Sequence, residues 1–319
     1  MTLSTLAEAL REHPSIRSKL GIARATRALG LSASSDGRPG DDAAPLPRDG
    51  GYDLLAGEGF IPAFVADDPW FAGWCALMVN LSDIAAMGGR AVALVDQIWA
   101  PDEASAAPLL QGLRDASTAY GVPVVGGHTN FAAPQLSIAA SVFGRAERLI
   151  TSVDAMPGDV LVAAIDHRGA YRNFDNFCAA LEAPGPRLRR DLELLPQLAE
   201  DGLVRAGKDI SQGGIVGTAL MLAECSGVGI DLDTTAITPP PGVPLDRWLR
   251  SFPSFGFLLS VAPGDAGAVC QRFAHRGIEA STIGAVTPGS AVRLGDESGS
   301  ALFWDHTTHP YLDLGGHHA

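Results

Sequence analysis

The sequence predicts a mixed α+β / α/β protein of two domains, 1–150 and 151–319. Three observations carry that expectation. A chain of 319 residues is about two average domains long. With 46% hydrophobic residues it can bury substantial cores. In both halves, short β-rich runs alternate with longer stretches of helical periodicity.

The elements follow in chain order. Residues 3–12 and 15–29 carry Leu/Ile/Ala faces at helical spacing, interrupted at His13-Pro14. Ser32–Gly40 is a polar Gly/Ser/Pro run and reads as a mobile connector. A strand is expected around 53–58. Asp68-Pro69 sets an N-cap acid before a proline at the first helical position, and that helix runs to Met87 before Gly88-Gly89 stops it. Strand 91–99, helix 103–120 and strands 122–126 and 135–144 complete the first half. Val160–Ile165 opens the second, where helices at 187–200, 214–226 and 264–276 accompany strands at 228–232, 255–262 and 278–287. Pro239-Pro240-Pro241 is a rigid extended connector.

Charge and cysteine usage exclude several function classes. A formal charge of −13, from 36 acidic and 23 basic residues, argues against nucleic acid or an anionic membrane surface as partner. No apolar run is long enough to span a bilayer, and the N-terminus has no signal-peptide core. Cys75, Cys178, Cys225 and Cys270 show neither metal-ligand nor disulfide spacing. The expectation is a soluble cytoplasmic protein with reduced thiols.

The helix 69–87 is the most informative element. Trp70, Trp74, Leu77, Leu81 and Ile84 form one apolar stripe, while Phe71, Cys75, Met78 and Ala85 form a second, so the helix is largely buried. Asn80 and Asp83 lie three apart in its second half. Asp83 either reaches solvent at the helix end or, if buried, requires a cation or strong donors. Four further segments carry polar chemistry. Gly40-Asp41-Asp42-Ala43-Ala44 places adjacent carboxylates after the connector, as either a turn or a metal site. Glu58 ends a strand between glycines and is a further candidate metal ligand. Val124–Asn130 reads as a buried strand opening into a Gly126-Gly127-His128 turn, with the histidine either structural or a ligand. Lys208-Asp209-Ile210-Ser211-Gln212-Gly213-Gly214 precedes a helix, its glycines permitting close approach and its helix N-terminus favouring an anion. Acids at strand and helix ends, without a thiol or multi-histidine set, suit Mg²⁺ better than Zn²⁺. Several carboxylates would repel a triphosphate unless metal lay between them, so a metal-bridged nucleotide site is the simplest account.

Asn80-Leu81-Ser82-Asp83-Ile84-Ala85-Ala86-Met87-Gly88-Gly89 resembles the signature of the AIR-synthase (PurM-like) superfamily. Gly40–Ala44, Gly126–Thr129, Pro157–Asp159 and Asp209–Gly214 follow that superfamily's order over nearly the whole chain. The nearest likeness is to its AIR synthase-related branch. The resemblance implies an N-terminal mixed sheet that forms a barrel with a second subunit, hence a homodimer, and a C-terminal α/β domain. It implies ATP in the cleft, with phosphates held through Mg²⁺ by Asp41 or Asp42, Asp83 and Asp209, and with Asn80 and Gly126-Gly127 lining the site. Lys208 is either a phosphate contact or exposed. Arg168, Arg172 and Asn173, together after a predicted strand, either clamp an acceptor's carboxylate or phosphate or form a solvated loop.

Departures narrow the activity. Selenophosphate synthetase requires an N-terminal cysteine, whereas the first here is Cys75. The hydrogenase-maturation factor uses a C-terminal cysteine, whereas this chain ends His317-His318-Ala319. The AIR synthase loop Asp-Gly-Val-Gly-Thr-Lys is replaced by Glu58-Gly59-Phe60-Ile61-Pro62, and thiamine-monophosphate kinase is matched there only at Glu58-Gly59. His128 replaces the acid most members carry. The resulting expectation is transfer of the γ-phosphoryl group of ATP to an oxygen of a small metabolite, with Ser32–Gly40 gating the phosphates. The alternatives are a nucleotide-binding accessory factor without turnover and a thiamine-monophosphate-kinase-like kinase.

Overall fold

The computed structural model describes residues 2–32 and 34–314; Ala33, within the expected gate, and His317-His318-Ala319 lie outside the described residues. Helix α1 (Leu3–Glu12) is capped by the Thr2 hydroxyl, which accepts from the Thr5 N–H at 3.2 Å. The helix expected over 15–29 is broken into α2 (Pro14–Arg17), a 3₁₀ turn over Ser18–Gly21 and α3 (Ile22–Ala28). Gly21, the poorest helix former of that stretch, ends the 3₁₀ turn.

Strands β1 (Ala44–Arg48) and β2 (Gly51–Gly59) form a hairpin. Strand β1 was not expected, since Pro45 and Pro47 interrupt its pattern; it lies at a sheet edge, where prolines are tolerated. After α4 (Pro62–Asp67) comes α5 (Pro69–Ala86), the helix read from the sequence, with the Asp68 carboxylate accepting from Phe71 N–H at 3.1 Å. Strand β3 (Arg90–Trp99), helix α6 (Glu103–Tyr120), and strands β4 (Val124–Asn130) and β5 (Ser137–Ala146) complete a five-stranded sheet of order β1-β2-β5-β3-β4. Helices α5 and α6 cover its inner face and cross at two glycines. A Cβ on Gly73 would run into the Leu109 carbonyl, and one on Gly112 into the Trp70 carbonyl. The outer face is open, exposing Leu55, Val95 and Trp99. In this single chain the sheet has two free edges, β1 and β4, and is not a closed barrel among the described residues.

The second sheet has seven strands. The chain continues through β6 (Val160–Ile165), short β7 (Ala170–Tyr171) and β8 (Asn176–Cys178), then α7 (Gly185–Leu192) and α8 (Leu194–Glu200), which divide the helix expected over 187–200. Strand β9 (Ala206–Asp209), helix α9 (Gly214–Ser226), strand β10 (Gly229–Asp233), helix α10 (Leu245–Trp248), and strands β11 (Phe252–Pro253) and β12 (Gly256–Val261) follow. Helix α11 (Ala266–Ala274) and strands β13 (Glu279–Thr287), β14 (Ala291–Asp296) and β15 (Gly299–Asp305) come last. The sheet order is β15-β14-β10-β13-β6-β12-β9, while β11, β8 and β7 make a separate ribbon. One face buries Leu220, Trp248 and Tyr311 together with Leu6, Leu10 and Ile16 from the chain's start. The N-terminal helices therefore share a core with the second sheet, although they precede the first in sequence. The opposite face packs Leu195, Leu198 and Phe273.

Of the four thiols, Cys75, Cys178 and Cys225 are buried, Cys270 is half-buried, and all are free. Among the described residues no helix is long and apolar enough to cross a membrane.

Candidate functional site

The two sheets meet at a cleft of about 530 Å³. Helix α5 supplies one wall. Phe71, Cys75, Met78, Val79 and Asp83 all line it, at the i, i+4, i+7, i+8 and i+12 spacing that places residues on one helix face. The second apolar stripe of the sequence is thus the cleft wall, and Asp83 is its polar end. Asp83 is buried, not solvated at the helix terminus.

Around Asp83 the fold gathers Asp42, just before β1, and Asp209, at the end of β9. One carboxylate oxygen from each of the three lies within 4.8 Å of the others. Burial, with Asp209, Glu58 and Asp42 nearby, pushes the Asp83 carboxyl well above the usual carboxylate range. Burial and the Asp42 charge push Asp209 up to about 8, against the opposing pull of Lys208. The Asp209 Oδ2 atom is buried without a hydrogen-bond partner. Three converging carboxylates with an orphaned oxygen are a donor set suited to a hard divalent cation.

Two acids of the expected metal set fall outside this trio. Asp41 lines the same cleft but is engaged by the protein, its Oδ1 accepting from the Ser152 backbone N–H; burial pushes its carboxyl up to about 6 despite that bond and Lys208. Glu58 lines the same cleft from β2, and burial raises its carboxyl, partly offset by Lys19.

Lys208 is neither exposed nor free for a ligand. Its ammonium is ion-paired with Asp42 and donates to the Gly40 carbonyl at 3.1 Å, which ties the end of the Ser32–Gly40 segment to the site. Burial opposes its charge, but Asp42 holds its pKa above the ordinary lysine value. The cation that faces the cleft uncommitted is Lys19, on the 3₁₀ turn, which sequence reasoning did not single out. Its only hydrogen bond among the described residues is to the Ser211 hydroxyl, 3.1 Å away. Burial and the Lys208 ammonium lower its pKa, against the pull of Asp209, Glu58 and Asp42. Nothing in Arg17-Ser18-Lys19-Leu20 signals this role, since the lysine reaches the acids only because the N-terminal helices dock on the second sheet.

Other expected residues are placed elsewhere. Asn80, one turn before Asp83, is buried outside the cleft lining, donates to the Ala76 carbonyl at 2.8 Å, and leaves its Oδ1 unpartnered. Gly126, Gly127 and His128 form no turn; they lie within the continuous edge strand β4, exposed and outside the cleft lining. Gly127 is needed because a Cβ there would strike Asp96. Gly213 and Gly214 take positive φ values of 103° and 66°, and the close approach they permit is to Ile16 and the Arg250 backbone, not to the cleft.

The proposed arginine clamp is also spent internally. Arg168 pairs with Asp166 at 2.7 Å and with Asp191 at 3.4 Å. Arg172 pairs with Asp68 at 2.8 Å and stacks over Phe71, and Asn173 donates to the same Asp68. Asp166 stands two residues before Arg168, whereas Asp191 and Asp68 are distant in sequence and had no visible link to the loop.

Comparison with known proteins agrees with this architecture. The family model described as AIR synthase related protein, N-terminal domain, matches residues 40–146, and its C-terminal counterpart matches 176–297. The protein sll0787 of Synechocystis sp. is 45% identical over 281 residues, covering 88% of this chain and 87% of its own length. A thiamine-monophosphate kinase of Methanopyrus kandleri is 29% identical, covering 80% and 84%. The phosphoribosylformylglycinamidine synthase subunit PurL of Methanosarcina barkeri is 26% identical, covering 86% of this chain but 42% of that one. Among solved structures, Thermotoga maritima PurL complexed with ADP superposes with a TM-score of 0.73 at 17% identity, over 94% of this chain and 52% of that one. AaThiL complexed with AMPPCP and TMP gives 0.66 at 19% identity, over 89% and 96%. The structural likenesses establish the shared PurM-like fold, and the sequence matches establish descent: this chain belongs to the AIR synthase related protein family.

Proposed function

We propose that the protein is an ATP- and Mg²⁺-dependent enzyme that transfers the γ-phosphoryl group to an oxygen of a small acceptor. The observation that carries this reading is the convergence of Asp42, Asp83 and Asp209 within 4.8 Å at the polar end of the cleft. The thiamine-monophosphate kinase and PurL relatives, and the nucleotide-bound neighbours, support the choice of ATP. A Mg²⁺ ion held by those three carboxylates would screen them from the triphosphate and withdraw charge from its oxygens.

The chain's own residues supply positioning and charge. Lys19, uncommitted at the cleft, contacts phosphate oxygens, while Lys208, ion-paired with Asp42, holds that carboxylate in place. The acceptor oxygen bonds to the γ-phosphorus as the bond to the β–γ bridging oxygen breaks, and ADP leaves with that electron pair. Glu58, on the facing wall, takes the proton when the acceptor is a hydroxyl. The first sheet with α5 and α6, and the second sheet with the N-terminal helices docked on it, act as the two units closing on the cleft, with Ser32–Gly40 gating it. The open outer face of the first sheet pairs with a second copy of the chain through Leu55, Val95 and Trp99; light scattering on Val95→Asp tests this, a dimer falling to monomer being the expected result.

The deciding experiment is ADP release by the full chain with Mg-ATP against fractionated metabolite pools. Release that depends strictly on one fraction supports the enzyme; nucleotide binding with no turnover against any pool favours an accessory factor.

A further inference from the structure

The cleft has two chemically different ends on one helix. From Phe71 to Asp83 is twelve residues of α5, or about 18 Å at helical rise. Acids and lysines occupy the Asp83 end. Around Phe71 the walls are aromatic: Phe64 meets Phe71 edge-on with ring centroids 5.8 Å apart, stacks on Phe60 at 6.1 Å, and approaches Phe174 at 6.3 Å. Met78, between the two ends on α5, and Phe252 add apolar lining to the cleft.

Phe174 is the unusual member. It is 62% exposed, and it and Asn173 both adopt left-handed backbone, with φ of 53° and 50°. A bulky residue in that region is strained, and such strain persists where neighbours over-determine it. Here Arg172 pairs with Asp68 on one side, and Asp175 pairs with Arg247 at 3.2 Å and with Arg250 on the other. A phenyl ring is thereby pinned at the cleft mouth with only part of its surface covered.

The charged groups at this end are already paired, and the Ser254 and Asn176 side chains are each partly engaged. Asp175 is held by two arginines, the Ser254 hydroxyl accepts from Ala179 N–H at 2.9 Å, and Asn176 donates to the Asn173 carbonyl at 3.1 Å. A purine placed here would bury ring nitrogens without partners, which is costly, whereas a hydrocarbon or phenyl body would not.

We propose that the Phe64–Phe174 end of the cleft is the acceptor subsite, and that the acceptor is amphipathic: an aromatic or bulky aliphatic body with a carboxylate, amide or hydroxyl oxygen directed to the acid cluster. This rests on the reading that the acid cluster holds the nucleotide's phosphates. The apolar body fixes orientation by burial, and the oxygen-bearing end reaches the phosphoryl group.

Calorimetry on the full chain tests it, with 3-phenylpropionamide and 3-phenylpropionate as probes against propionamide and propionate, each with and without Mg²⁺ and a non-hydrolysable ATP analogue. The aryl probes are expected to bind at least about tenfold tighter than their short counterparts. Phe174→Asn, which keeps a residue that tolerates left-handed backbone, and Phe64→Ala should each remove most of that advantage while leaving affinity for the ATP analogue within about twofold. Equal binding of aryl and short probes overturns the proposal. So does competition between adenosine and the aryl probe, or a parallel loss of ATP-analogue affinity in the variants, since either places the nucleobase in this end. If the wild-type chain fails to bind the ATP analogue, the phosphotransferase reading falls, and the metal-free aryl titration still reports on the apolar subsite.

Discussion

Lys208 and Asp42 form an ion pair almost sealed from solvent, their side chains 6% and 5% exposed. Asp42 also accepts from the Asp209 backbone N–H at 3.1 Å, so the pair locks the start of the first sheet onto β9 of the second. Removing the cation strands Asp42 among Asp83 and Asp209. Lys208→Met is expected to destabilise the chain by about 3–5 kcal/mol in urea denaturation. A loss under about 1 kcal/mol would contradict a sealed pair.

Lys19→Met should behave oppositely. Among the described residues its ammonium hydrogen-bonds only a neutral hydroxyl, so the unfolding free energy in urea should change by no more than about 0.5–1 kcal/mol. Mg-ATP affinity should fall about tenfold or more, as lost charge-assisted phosphate contacts do. Unchanged nucleotide affinity in calorimetry removes Lys19 from the phosphate site.

Asp83→Asn keeps shape while deleting one of three crowded charges. Without divalent cations the variant should melt higher than the parent, by about 1.5 °C for each kcal/mol of repulsion relieved. It should also lose Mg²⁺-dependent nucleotide binding. A variant that binds Mg-ATP normally shows the cation site to be wrongly assigned.

The same crowding sets a pH dependence. Burial raises Asp41 to about 6, Asp209 to about 8, and Asp83 well above its ordinary value. These groups hold protons more tightly folded than unfolded, so their contribution is fully present below the unfolded value of about 4. It is lost as pH rises through the folded values. In EDTA the melting temperature should therefore drop between pH 5 and about 8.5, and Mg²⁺, which binds the ionised carboxylates, should reduce that drop. A melting temperature that climbs across this range in EDTA is the contrary result.

Gly73 and Gly112 predict a packing effect away from the site. Alanine favours helix over glycine by about 1 kcal/mol, yet a Cβ at Gly73 would meet the Leu109 carbonyl. Gly73→Ala should thus destabilise by about 1–3 kcal/mol in spite of propensity, because α5 and α6 must separate. A stabilised variant would mean that the helices can slide apart freely.

Much of the local structure was legible because it is decided locally. Asp68-Pro69 and Gly88 bound α5 as capping chemistry requires, and Val160–Ile165 and Gly214–Ser226 are strand and helix as read. Strand β1 was obscured by prolines that only an edge permits, and Gly126–His128 resembled a turn because two glycines signal one, whereas here Gly127 makes room for Asp96. At the site, Asp42, Asp83 and Asp209 were legible through their types and motifs, as was the need of a buried Asp83 for a counter-charge.

Which cation answers which acid was not legible. Lys208 looks like a ligand-binding residue in its motif, and Arg168 and Arg172 look like a clamp, yet each is neutralised by an acid 2 to 166 residues away in sequence. Lys19 has no motif at all and reaches the cleft because Leu6, Leu10 and Ile16 bury themselves against the second sheet. The sequence by itself determined the long helices and the central strands, the family and the acids that gather, since these follow from periodicity, capping and short motifs. Tertiary structure alone decided which charges remain free, because ion pairing falls off steeply with distance and depends on long-range docking that no local pattern encodes.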